Sequence, residues 1–83
     1  MTFKTTIILR RNGETLGDPW PLPCAGRWRA DAERKAMRAA EGMRLFRYAT
    51  DVRILTESPD GKTTSLCWLL ARTPDPLPPK VFV

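Results

Sequence analysis

Apolar and polar positions alternate at the start of the chain, take a helical spacing in its middle, and alternate again before a proline-rich end. From Phe3 to Arg11, β-branched and apolar residues lead into Asn12-Gly13, a dipeptide that accepts the positive φ angles of a type I′ turn. A first strand and a tight hairpin are predicted. The returning strand begins at Glu14-Thr15-Leu16, but Gly17-Asp18-Pro19 interrupts it, and Pro19, Pro21 and Pro23 each remove a ladder donor. It is expected to be short, at a sheet edge or bulged, with Pro19 to Pro23 on an extended, polyproline-like path. A short extended segment at Arg27-Trp28-Arg29 then leads into a helix.

At about 100° per residue, Ala32, Ala36, Ala39, Ala40, Met43 and Phe46 gather on one stripe, and Arg34, Arg38 and Glu41 lie nearly opposite. The stripe reads as a core face. Asp31 is the expected N-cap, with Glu33 adding favourable negative charge to the first turn. Gly42 costs about 1 kcal/mol relative to alanine inside a helix, yet Met43 and Phe46 stay in phase with the stripe. The helix is therefore expected to run to about Arg47, although Arg47 itself falls near the apolar side.

After Ala49-Thr50 the period becomes two, with Val52, Ile54 and Thr56 on one side and Arg53, Leu55 and Glu57 on the other. Ser58-Pro59-Asp60-Gly61 suits a type I turn followed by a glycine bulge. The last strand, Lys62 to about Arg72, is apolar on both faces near its end, which predicts a central strand or one covered on its second side. The order ββαββ defines an α+β fold: a compact single domain over residues 1–72, with an antiparallel sheet of about four strands and one amphipathic helix packed on one face. Residues 73–83 form a proline-rich tail that Leu77, Val81 and Phe82 are expected to anchor at least in part.

Chemistry narrows the functional classes. The 83 residues contain no histidine, the commonest general acid-base near neutral pH. The glycines are scattered, so no phosphate-cradling loop forms. Cys24 and Cys67 lack the neighbours that would make a zinc cluster or an activated nucleophile. No catalytic residue, metal or cofactor is expected. No opening apolar segment marks secretion and no run is long enough to span a bilayer, so a cytoplasmic protein with free thiols and no membrane partner is expected.

Fourteen Lys and Arg against nine Asp and Glu give a net charge of +5, with most of the cations arginine. Arginine forks suit planar contacts with phosphate or carboxylate, although a GC-rich coding sequence also enriches arginine. The candidate contact cluster is Arg27, Trp28 and Arg29, followed by Arg34, Lys35 and Arg38 on the helix, with Arg53 projecting from the sheet. Plainer readings stand beside it. Trp28 fits burial beneath the start of the helix, Arg34 and Arg38 a solvated helix face, and Trp68 the core; Trp20, between two prolines, is better placed to meet a partner.

The Asn12-Gly13 hairpin, the helix sequence from Asp31 to Met43 and the strand Val52-Arg53-Ile54-Leu55 before Ser58-Pro59-Asp60-Gly61 carry a resemblance. In layout, over Phe3 to Arg72, the chain resembles small phage-encoded anti-CRISPR proteins that act on type I surveillance complexes. The resemblance implies stoichiometric inhibition of a Cascade-type complex in a host bacterial cell, commonly by blocking target DNA recruitment. Many such inhibitors are acidic DNA mimics, and a chain of +5 departs from that pattern. Its arginine surface is expected instead to meet an acidic protein surface, such as a surveillance-complex subunit, with nucleic-acid binding as the alternative.

Overall fold

The computed structural model describes residues 2–77, except for the side chains at 23–25. The elements are β1 (Phe3–Arg11), β2 (Glu14–Gly26), α1 (Arg29–Glu41), a 3-10 segment (Arg44–Tyr48), β3 (Asp51–Glu57) and β4 (Thr63–Leu69). The four strands form one antiparallel sheet in the order β2-β1-β3-β4, and α1 lies on one face across β2, β1 and β3. The α+β architecture follows from the two periodicities. Along β1, Thr5, Ile7 and Leu9 turn toward α1, directly opposite Thr56, Ile54 and Val52 of β3. Ala32, Ala36 and Ala40 close over them with no exposed surface, and Leu16 extends the core under β2. Methyl-sized side chains let the helix backbone approach the sheet without losing rotamer freedom.

Both hairpins follow their turn chemistry. Asn12 and Gly13 take φ values of 50° and 87°, as a type I′ turn requires. In the second hairpin the Gly61 amide donates to the Ser58 carbonyl at 2.9 Å, and Gly61 has φ of 91°. The Ser58 hydroxyl donates to the Asp60 carboxylate; this bond, followed by one from the Lys62 backbone, lowers the Asp60 pKa.

Four sequence expectations are corrected. First, β2 is not short: it runs through the prolines for 13 residues at the sheet edge. Two register shifts against nine-residue β1 absorb its four extra residues, so the prolines sit where edge position and bulges tolerate a missing donor.

Second, α1 starts two residues before Asp31, with Trp28 in the N-cap position and Asp31 inside the first turn. Gly26 explains this start, because a Cβ there would lie 3.3 Å from both the Ala32 nitrogen and the Asp31 Cβ. The end of β2 thus packs closely against the first turn, an approach that glycine permits. Arg27-Trp28-Arg29 is accordingly a bend and a helix start rather than an extended segment.

Third, the helix stops at Glu41. The Gly42 and Met43 amides bond to Ala39 and Ala40 with tightened, three-residue spacing, and Met43 is extended. The 3-10 segment then places Leu45 and Phe46 half-buried and leaves Arg47 in solvent. A continuous helix would have turned Arg47 toward the apolar side.

Fourth, β4 is neither central nor covered. It is an edge strand with Leu69 84% exposed, and Trp68, expected in the core, is 39% exposed. A helix about 10 Å across spans only two or three strands at about 4.8 Å spacing, and α1 uses that width on β2, β1 and β3.

After β4 the chain turns back along the 3-10 segment. The Asp75 amide donates to the Arg47 carbonyl at 2.9 Å, and Arg11 reaches the Asp75 and Tyr48 carbonyls at 2.8 and 2.9 Å. The start of the tail is thus tied to the domain. The expected anchors Val81 and Phe82 lie outside the described residues. No described helix is long and apolar enough to cross a membrane.

Candidate functional site

The outer side of α1 presents the candidate surface. Because Ala32, Ala36 and Ala40 fix the inner stripe, Arg34, Lys35 and Arg38 are turned to solvent, and all three are exposed. Arg27 and Trp28 stand exposed just before the first helical turn, with Trp28 68% accessible. The burial expected of Trp28 is overturned, since the early helix start leaves the indole on the outside of the bend. Arg34 is partly neutralised by Asp31 at 2.6 Å, an exposed pair that water screens and that a competing anion can open. The face therefore holds Arg27, Arg34, Lys35 and Arg38 against Asp31 and Glu41, with one large aromatic surface at its leading end.

Two residues of the sequence-level cluster sit elsewhere. Arg29 folds inward, its guanidinium 5.2 Å from the centre of the Phe3 ring and donating to the Thr64 hydroxyl of β4. It clamps the helix start to the sheet. Arg53 lies in register between Ile8 and Cys67 on the sheet face opposite α1, half-buried and with its Nε buried without a partner. These two arginines are separated from the helix face by the sheet or by their own bonding.

The same far face holds Cys67, a free and exposed thiol that donates to the Asp51 carboxylate at 3.3 Å. That bond, with burial and the Asp51 charge, raises the thiol pKa. A thiol held protonated is the reverse of an activated nucleophile. Among the described residues, no group of three or more Cys, Asp and Glu side chains converges to hold a metal ion.

Past the end of α1 lies a concavity that no sequence pattern predicts. Leu16, Trp20, Met43, Leu45 and Tyr48 wall an open cleft of about 900 Å³ between β2 and the 3-10 segment, with Arg44 beside it. Trp20, expected to be available to a partner, is 57% exposed there. The cleft exists because α1 ends at Glu41 and Gly17 admits Leu45, whose Cδ1 would lie 3.0 Å from a Cβ at that glycine. The only sequence signals were the lone Trp20 and the out-of-phase Arg47.

Comparison with protein-family models, with curated proteins and with solved structures finds no match to this chain.

Proposed function

We propose that this chain is a non-enzymatic binding protein that uses the outer face of α1, led by Trp28, to hold an acidic protein surface. The observation that carries this reading is the exposure of Trp28 beside four exposed cations, an indole and arginine combination enriched at interface hot spots. The face is convex, so it suits a partner that supplies the groove. Complementary charge would speed encounter and fix orientation, while the indole would supply the buried area. Within this reading, the layout resemblance supplies the candidate target: a subunit of a host type I CRISPR surveillance complex, inhibited by direct occupation in the bacterial cytoplasm.

A second reading, a nucleic-acid-binding module, is favoured by the net charge of +5 and by arginine at three of the candidate positions on this side. The measurement is binding of purified type I surveillance complex, nuclease-treated or untreated, and of a random-sequence DNA duplex, each at two salt concentrations. The inhibitor reading expects nuclease-resistant capture of the complex and a loss of about tenfold or more in Trp28→Ala and in Arg34→Glu/Arg38→Glu, with thermal melts confirming the fold. Full binding by the folded double variant would discard the α1 face. Binding to DNA alone, weakening steeply with salt, would replace the inhibitor reading with the second.

A further inference from the structure

We propose that the chain pairs with a second copy of itself along β4, antiparallel about a two-fold axis at Leu66, so that two four-stranded sheets continue as one. The two sheet edges differ in kind. The outer edge of β2 carries Pro19, Pro21 and two register shifts, devices that discourage further strand addition. By contrast β4 is Thr-Thr-Ser-Leu-Cys-Trp-Leu, without proline, glycine or charge, and it pairs with β3 over seven consecutive residues without a shift. An edge so regular and so unguarded is a template for another strand.

The backbone shows which groups are free. At one end of the β3–β4 ladder the Ser58 amide donates to the Lys62 carbonyl at 2.8 Å, and at the other the Leu70 amide donates to the Thr50 carbonyl at 3.1 Å. Even-numbered residues of this strand therefore turn their polar groups toward β3, since bonding direction alternates along an antiparallel strand. Thr63, Ser65, Cys67 and Leu69 consequently present their amides and carbonyls outward.

A two-fold axis that pairs at least three of these four odd-numbered residues must pass through Ser65, Leu66 or Cys67. Completeness of pairing selects among the three. With the axis at Cys67 or at Ser65, only three of the four outward-facing residues meet one another, Ser65 with Leu69 about a self-paired Cys67 or Thr63 with Cys67 about a self-paired Ser65. At Leu66 all four are paired: Ser65 faces Cys67 and Thr63 faces Leu69. The same register places Leu66 against its own copy and Trp68 against Thr64 as closely spaced, non-hydrogen-bonded pairs on the side toward α1. It adds cover to Trp68 and Leu69, the exposed apolar side chains of β4. Such an isologous contact closes on itself as a dimer rather than extending into a fibre.

The test is the mass of the full chain in solution by sedimentation equilibrium over a range reaching hundreds of micromolar. Expected is a rise from 9.4 kDa toward twice that value. Ser65→Pro removes an outward donor and leaves the β3 ladder intact, so it should weaken the dimer about tenfold or more while circular dichroism still reports the fold. If that variant does not fold, Ser65→Cys in a Cys24→Ser background decides. Mild oxidation should then link the introduced thiol to Cys67 of the second copy, identified by mass spectrometry under non-reducing conditions. A chain that stays monomeric throughout, or a dimer untouched by a folded Ser65→Pro, overturns the proposal. Crosslinking only between the two copies of Cys67 overturns the register at Leu66.

Discussion

Replacing Ala36 with leucine tests how α1 seats on the sheet. Ala36 has no exposed surface, lies in the middle of the alanine stripe and belongs to the same buried cluster as the paired Ile7 and Ile54. Helix propensity changes little between alanine and leucine, so any large effect must come from the interface. Three added carbons have no room beneath a helix held by methyl-sized contacts, and overpacking of this kind costs about 1–3 kcal/mol. For 83 residues, an unfolding entropy near 2.1 cal/mol/K per residue gives roughly 0.17 kcal/mol/K. A loss of about 2 kcal/mol thus lowers Tm by roughly 12 °C. The assay is thermal unfolding by circular dichroism, with Lys35→Leu as the control, since Lys35 is one residue away and exposed. If Ala36→Leu melts with the wild type, the helix does not lie flush on β1 and β3, and the account of the core is wrong.

Three further substitutions probe local geometry. Gly61→Ala should cost about 1 kcal/mol, from positive φ alone, because nothing lies within 4 Å of the added methyl. Gly17→Ala should cost more by urea titration, because its methyl also meets Leu45; equal losses would count against Leu45 packing on β2. Asp51→Asn in a Cys24→Ser background should speed alkylation of Cys67 at mildly alkaline pH, since it removes the negative charge and exchanges a carboxylate oxygen that holds the thiol protonated for the weaker acceptor or the N–H donor of an amide. An unchanged rate would show that Asp51 does not govern that thiol. The sign carries over to stability: with its folded pKa raised, Cys67 stabilises the fold below its unfolded pKa, and that contribution is lost as pH rises through the folded value.

The site was legible in pieces. The helical spacing that put Arg34 and Arg38 opposite the alanines carried directly into the structure, because burial of three alanines dictates the orientation of every other residue on α1. Trp28 was misread for a comparable reason: its surroundings depend on where the helix begins, and the approach of Gly26 to Asp31 and Ala32 decides that. Sequence proximity and charge group Arg29 and Arg53 with the helix arginines, because neither carries information about depth. One is drawn inward by Phe3 and Thr64, and the other lies beyond the sheet. The Trp20 cleft needed a helix end and a glycine contact that no periodicity describes.

Local chemistry determined the strands, both turns and the inward stripe of α1, since alternation, Asn12-Gly13, Pro59-Asp60-Gly61 and the alanine spacing each act over a few residues. Tertiary structure alone decided that β2 continues through its prolines, that α1 stops at Glu41, and that β4 ends the sheet uncovered. An apolar pattern states that a face can be buried; whether anything reaches it depends on the width of one short helix and the order of the strands beneath it.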